Sequence, residues 1–280
     1  MNSIPEKRAD DTRAIEEQNS FIVTKEYRRF AEFCDACCRE KYIGICYGAP
    51  GVGKTLSARY YSKWFFLENR LTIHAPYLPL HPEISECRSL FYTAEISAPP
   101  RAINNKIIGM RMKLGRFVNE LLPEEQKVPN IDEVKHYCQL IIVDETERLK
   151  VGGLEQFRAI YDSGDIGLIF IGMPGLEKKL SRYPQLYSRI GFAHKYNLLS
   201  QEEMRFLLSH YWEQLSLNIN PNDYTDAEAI AAIARITNGN FRLLNRLFRQ
   251  IKRIIEINKL NCITAEVVEA ARECLVIGTI

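Results

Sequence analysis

The chain has 280 residues, of which 46% are hydrophobic and 26% are charged, and this balance excludes a disordered or fibrous protein. Its length accommodates one large α/β domain with an appendage, or two modest domains. The net charge of +2 excludes a strongly basic protein, so any nucleic-acid surface must be a local one.

The N-terminal residues 1–20 mix acidic and basic side chains and lack the apolar core of a signal peptide. No apolar run reaches the roughly 18 residues that a membrane helix needs. We therefore expect a soluble, cytoplasmic protein that makes no membrane contact, with residues 1–23 forming a flexible N-terminal arm.

Eight cysteines would suggest disulfides in a small secreted domain, but nothing in this sequence indicates export. The cluster Cys34-x-x-Cys37-Cys38 could supply zinc ligands, yet no second pair follows at a finger-like spacing. Apolar residues recur at helical spacing from Thr24 to Arg39, which predicts a first helix. We expect the cysteines to be reduced thiols, with those of this helix acting as small buried apolar residues.

A β-prone run, Tyr42–Tyr47, leads into a segment that matches the phosphate-loop pattern G-x-x-x-x-G-K-[ST] at every specified position. Residues 56–64 after it are compatible with a helix, so the motif has the strand before it and the helix after it that nucleotide binding requires. Free amides at a helix N-terminus wrap phosphates. The predicted nucleotide-binding residues are Gly48, Ala49, Pro50, Gly51, Val52, Gly53, Lys54, Thr55 and Leu56. Lys54 would contact the β- and γ-phosphates, and the Thr55 hydroxyl would ligate magnesium.

Three prolines interrupt residues 65–87, which predicts an inserted loop, and a second strand follows at Leu90–Ile96. Residues 102–122 carry an apolar stripe at helical spacing. Five basic residues lie along or just before this helix: Arg101, Lys106, Arg111, Lys113 and Arg116. They could form a solvated helix face or a surface that contacts the phosphate backbone of a nucleic acid.

A continuous aliphatic run, Leu140–Val143, ends in two acids, Asp144 and Glu145, as a buried parallel strand does when it delivers carboxylates to one edge of a sheet. Asp144 would hold magnesium through water. Glu145 would polarise the water that attacks the γ-phosphate.

Further strands are predicted at residues 167–172 and 192–198, and their alternation with helices predicts a parallel α/β sheet. From the capping box Ser200–Glu203 onward the pattern is helical only, which places a boundary near residue 199. We predict a P-loop domain over residues 24–199 and a helical lid over residues 200–280. In the lid, Arg242, Arg246, Arg249 and Arg253 share one helix face, on which one arginine is expected to face a ligand.

The segments GAPGVGKT, LIIVDE, YSRI and TNGNFR, in this order, resemble those of AAA+ ATPases across residues 24–280. The resemblance implies a P-loop parallel sheet flanked by helices and followed by a small all-α lid. Within that superfamily, the compact length, LIIVDETERLK and the strand-loop-helix after IFIG are most similar to DNA transposition regulators of the TniB, TnsC and MuB type.

The resemblance also implies roles for two arginines. Arg189 would be an arginine finger acting in trans on the γ-phosphate of a neighbouring subunit, and Arg242 the sensor-2 arginine of the lid. The family places a polar residue at its sensor-1 position, which is Met173 here, so we expect slow, regulatory ATP hydrolysis.

The implied cofactors are ATP and magnesium. The implied partners are duplex DNA bound without sequence preference, a transposase with target-selection proteins, and further copies of the chain in a ring or helical filament. In this family the helix after the second strand faces DNA, which favours the DNA-contact interpretation of Lys106, Lys113 and Arg116.

Three other functions remain open from the sequence. A helicase loader or replication initiator would share the superfamily, although no winged-helix domain follows the lid. A kinase would share the phosphate loop, but LIIVDE and GNFR argue against it. A nucleotide-dependent interaction protein would keep Glu145 with negligible hydrolysis.

Overall fold

The computed structural model describes residues 18, 20–72, 79–217, 220 and 223–275. Most of the predicted N-terminal arm, residues 1–17 and 19, lies outside them. Contacts divide the chain into two compact units. The first contains Tyr27–Gly48 and Lys54–Lys195, and the second contains Thr24–Glu26, Ala49–Gly53 and Tyr196–Ile280. The division therefore runs through the phosphate loop itself.

The first unit is built on a five-stranded sheet whose neighbouring strands all run parallel. Its strands are β1 (Ile43–Tyr47), β2 (Ser89–Thr93), β3 (Leu140–Asp144), β4 (Gly167–Gly172) and β5 (Ile190–Lys195). Their order is β2-β3-β4-β1-β5, so β4 separates β1 from β3. Every residue of β3 and β4 is buried, as expected for strands covered on both faces. Because the strands are parallel, all their carboxyl ends lie at one edge.

Helices and short 3₁₀ turns accompany this sheet in the described residues. The α-helices are α1 (Lys25–Glu40), α2 (Lys54–Tyr61), α3 (Trp64–Thr72), α4 (Pro100–Leu121), α5 (Val151–Asp162), α6 (Leu176–Leu180) and α7 (Pro184–Tyr187). The 3₁₀ turns are Pro82–Glu86, Glu124–Gln126, Val134–Tyr137 and Thr146–Arg148. Phe30, Cys34 and Cys37 of α1 are fully buried, as the helical spacing predicted.

Several element boundaries differ from the sequence predictions, and three of these differences have a clear physical reason. The predicted loop 65–87 begins with α3, because Phe66, Leu67 and Leu71 form a buried helix face before the first proline is reached. The second strand ends at Thr93, and Ile96 is 78% exposed in the following turn. The last strand ends at Lys195, because the Asn197 amide donates to the Glu26 carboxylate (3.0 Å) instead of continuing the ladder.

The second unit contains the helices α8 (Gln201–Gln214), α9 (Tyr224–Thr237), α10 (Phe241–Asn258) and α11 (Ala265–Glu273). A side-chain cap begins each helix; the capping residues are Ser200, Asp223, Asn240 and Thr264. The fully buried Trp212, Ile233, Leu247 and Ile251 hold the helices together. These helices and the parallel sheet confirm the predicted fold class. Among the described residues, every helix is too short or too polar to span a lipid bilayer.

Candidate nucleotide site

The loop lysine and the threonine after it open α2 in the first unit. Lys54 is buried, and its ammonium donates to the Gly48 carbonyl (2.7 Å). Thr55 Oγ1 donates to Asp144 Oδ2 (2.7 Å), although 89 residues separate the two in sequence. Because β3 and β1 end at the same edge of the sheet, the two motifs predicted from the sequence meet at this contact.

Asp144 is only 3% exposed, and burial raises the pKa of its carboxyl above the ordinary value of 3.8. The hydrogen bonds from Thr55 and from the Glu145 amide (2.9 Å), together with the nearby Lys54 ammonium, act in the opposite direction. A buried carboxylate touching a hydroxyl is a suitable donor set for magnesium, which takes one or two carboxylates and completes its shell with phosphate oxygens and water. Within the described residues, no group of three or more His, Cys, Asp or Glu side chains is arranged so that it could hold a metal ion by itself.

Glu145 lies directly after the buried acid, in the left-handed conformation with φ of 54°. This conformation is strained for a residue with a side chain, and such strain accumulates at functional sites. The Glu145 carboxylate pairs with Arg148 (2.7 Å), and both side chains are partly exposed. The predicted catalytic base is therefore accessible to water and held by a surface ion pair.

Met173, which the sequence predicts at the sensor-1 position, contacts a third acid, Glu147, that the sequence prediction missed. The Met173 side chain is 40% exposed, and its backbone amide donates to Glu147 Oε1. A Cβ added to Gly172 would lie 2.6 Å from the same oxygen, so Glu147 packs against the end of β4. Thr146 is fully buried and donates to the Val143 carbonyl (3.2 Å). The only sequence signal for Glu147 was its place three residues after Asp144.

The phosphate-loop residues Ala49–Gly53 belong to the second unit, where they contact the start of α10. Gly51 and Gly53 have backbone φ angles of 80° and 115°, which residues other than glycine rarely adopt. The Arg242 amide donates to the Gly51 carbonyl (2.8 Å), and Asn240 Nδ2 donates to the Pro50 carbonyl (3.0 Å). The side chain of Arg242 is exposed at the start of α10.

Arg189, the predicted arginine finger, lies directly before β5 and forms an ion pair within its own subunit. Its guanidinium contacts Asp162 twice, at 2.6 and 3.0 Å, and a further nitrogen donates to the Gln185 carbonyl. The side chain remains 33% exposed. An acid thus compensates its charge in the single chain.

The five basic residues predicted to contact DNA have different environments along α4. Lys106 pairs with Glu95 and lies over the Tyr92 ring, and Lys113 donates to the Leu71 carbonyl (3.3 Å). Arg111 is half-buried, with its Nε away from solvent, and contacts the Cys138 thiol. Arg101 and Arg116 are exposed and form no ion pair within the described ranges.

Comparisons with known proteins agree with this architecture. The family described as "AAA domain" matches residues 38–180. A protein of Staphylococcus aureus named "Potential ATP-binding protein" is 50% identical over 267 residues, covering 92% of this chain and 97% of that protein.

Solved structures share the fold at low sequence identity. The Thermotoga maritima RuvB Holliday junction branch migration motor superposes with a TM-score of 0.56 at 16% identity, over 92% of this chain and 71% of that one. The Aeropyrum pernix ORC1 protein, solved in complex with DNA, gives a TM-score of 0.55 at 18% identity, over 90% of this chain and 65% of that one.

Proposed function

Since the chain belongs to the AAA domain family, we propose that it is an AAA+ ATPase that binds duplex DNA and regulates transposition. In this proposal it oligomerises on DNA and recruits or activates a transposase at the target. The observation that carries the ATPase part is the contact between Thr55 and Asp144, since it joins the phosphate-loop helix to the acid strand. The narrower role in transposition rests on the resemblance of the LIIVDETERLK stretch and its flanks to TniB, TnsC and MuB proteins.

ATP binding follows from the chemistry of the loop. The backbone amides at the start of α2 and the Lys54 ammonium would offer positive charge to the β- and γ-phosphates. The Lys54 contact with the Gly48 carbonyl would be exchanged for a phosphate oxygen, which is the stronger, charge-assisted acceptor.

Magnesium would be held by Thr55 and Asp144. When bound with ATP, it neutralises charge that develops on the phosphates. The chain's own contribution is to keep Asp144 buried and hydrogen-bonded, so that one oxygen is oriented by Thr55 and the other by the Glu145 amide.

Hydrolysis needs a base and compensating positive charge. Glu145, exposed beside the buried acid, would accept a proton from the attacking water. Arg189 of a neighbouring subunit and Arg242 of the lid would supply charge in the transition state. Arg189 must exchange its Asp162 partner for a phosphate, so turnover would depend on assembly. Met173, which brings no polar side chain, favours slow turnover and a switch rather than a motor.

DNA binding is supported by two observations. The chain shares its fold with a protein described as a Holliday junction branch migration motor and with the ORC1 protein, whose structure was solved in complex with DNA. The exposed Arg101 and Arg116 lie on α4, the helix that faces DNA in the resembling family. The likeness to the ORC1 protein also favours a second candidate, a replication-initiator-type ATPase. A non-hydrolysing nucleotide-dependent interaction protein is a third.

Fluorescence anisotropy of labelled duplex DNA, with ATP, with ADP and without nucleotide, tests the proposal. We expect tight binding with ATP only, and its loss in Lys54→Ala. The control Lys127→Ala removes an equal charge from a surface turn, where Lys127 pairs with Glu124. Equal DNA binding with and without nucleotide would contradict the switch. Phosphate release measured with and without DNA then separates an ATPase from the non-hydrolysing candidate.

A further inference from the structure

The start of α10 donates hydrogen bonds to two carbonyl groups of the phosphate loop. Within the second unit, Pro50 C=O accepts from Asn240 Nδ2 (3.0 Å), and Gly51 C=O accepts from the Arg242 amide (2.8 Å). The packing is also close. A Cβ on Gly51 would lie 2.6 Å from Asn240 Oδ1 and 3.0 Å from Arg242 Cβ. The loop and the start of the helix therefore fit each other at van der Waals distance.

Asn240 makes two contacts that require both ends of its amide. Its Oδ1 accepts from the Leu243 amide (3.1 Å) and so caps α10, while its Nδ2 donates to Pro50. Aspartate caps a helix as well as asparagine does but has no donor, and serine lacks a planar donor and acceptor pair. A residue needed only as a cap would not have to be an amide.

Holding these carbonyls also orients the amides that follow them. In a trans peptide unit the C=O and the next N–H point in opposite directions, and the peptide bonds of the loop are trans. Fixing Pro50 C=O toward Asn240 therefore directs the Gly51 N–H to the other side of the loop. Fixing Gly51 C=O does the same for the Val52 N–H. Backbone N–H groups of this kind are the ones that cradle phosphate.

We propose that Asn240 is a positioning residue for nucleotide binding. It orients the phosphate-loop amides through the Pro50 carbonyl and ties the conformation of the loop to the start of the helix that carries Arg242. This assignment rests on the proposed ATP binding. The Nδ2 donor of Asn240 positions the loop for the nucleotide, and its Oδ1 acceptor caps the helix.

The test separates the two ends of the amide in the full-length chain. Asn240→Asp keeps the cap but loses the donor, so its Tm without nucleotide should fall no further than that of a variant that loses one helix cap. Its affinity for a fluorescent ATP analogue with magnesium should fall about tenfold, because the loop amides must then be reoriented on binding at a cost of about one hydrogen bond. The matched control is Thr264→Ala, which removes the cap of α11 and its bond from the Val267 amide (3.3 Å). It should lower Tm and leave nucleotide affinity unchanged.

Two results would overturn the assignment while leaving ATP binding intact. Asn240→Asp could bind the analogue as tightly as the wild type, or Thr264→Ala could weaken binding as much as Asn240→Asp. Failure of the proposed function would look different. The wild type itself would then bind no ATP, or Lys54→Ala would bind it equally well, and the role of Asn240 would fall with it.

Discussion

Two charged regions of the first unit were predicted from the sequence, and their side chains make different kinds of contact in the structure. At the carboxyl edge of the sheet, Thr55, from the phosphate-loop pattern, contacts Asp144, from the acid strand. Along α4, Lys106 and Lys113 have partners within the chain, and Arg111 is half-buried. The topology of the parallel sheet brings Thr55 and Asp144 together, independently of the side chains around them. The basic face depends on which nearby acids and carbonyls capture each long side chain.

Arg189→Ala should have the largest effect on ATP turnover. It tests whether a second subunit completes the nucleotide site at the carboxyl edge of the sheet. We expect ATP turnover of the assembled protein to fall by roughly 10³-fold or more, because an arginine finger stabilises transition-state charge. Nucleotide affinity of the single chain should not change. Steady-state phosphate release and analogue binding measure the two quantities.

The control is Asp162→Asn, which releases Arg189 without removing it. Turnover in this variant should equal or exceed that of the wild type. An equal loss in both variants would assign the ion pair a structural role instead.

Glu145→Gln should lower turnover by roughly 10²-fold while ATP still binds, because the amide cannot accept a proton. Arg148→Ala removes the partner of Glu145 from an exposed pair and should change stability by less than about 1 kcal/mol. Single-turnover hydrolysis of radiolabelled ATP measures the turnover of Glu145→Gln, and thermal unfolding measures the stability of Arg148→Ala. Unchanged turnover in Glu145→Gln would exclude Glu145 as the base.

The affinity for ATP with magnesium should depend on pH through Asp144. Burial raises its pKa above 3.8, so the carboxyl takes up a proton at higher pH than an exposed aspartate does. In the chain without metal, the contribution of Asp144 to the free energy of unfolding is full at pH values below 3.8. It is lost as the pH rises through the raised pKa of the folded chain. Below that pKa, the magnesium-dependent part of ATP affinity should fall by up to about tenfold per pH unit, since one proton competes with the metal. Calorimetric titrations at several pH values measure it, and a flat profile would contradict the metal role.

The smallest effects concern α4. Arg101→Ala and Arg116→Ala should each weaken duplex binding a few-fold and lower the slope of log affinity against log salt by about 0.9. Lys106→Ala, which first breaks its pair with Glu95, should change the slope less. Anisotropy titrations at four salt concentrations check this. Equal slopes for all variants would place the DNA on another surface.

The sequence predicted the parallel sheet, the helical unit and the residues at the acid edge, because periodicity and the phosphate-loop pattern report local backbone chemistry. It did not predict α3, since the prolines of residues 76–82 obscured a short buried helix face before them. Glu147, the Asp162 partner of Arg189 and the bond from Asn240 to Pro50 were also missed. Each depends on a contact between distant segments, which no local pattern encodes.

Titration of ATP into wild-type protein and Thr55→Val, with magnesium and with a chelator, tests whether the contact between Thr55 and Asp144 marks the metal–nucleotide site. Valine keeps the shape of threonine and removes only the hydroxyl that contacts Asp144. We expect magnesium to tighten ATP binding to the wild type, and Thr55→Val to lose this gain while its affinity in chelator is unchanged. An equal magnesium effect in both proteins would show that the contact between the loop helix and the acid strand does not mark the metal–nucleotide site.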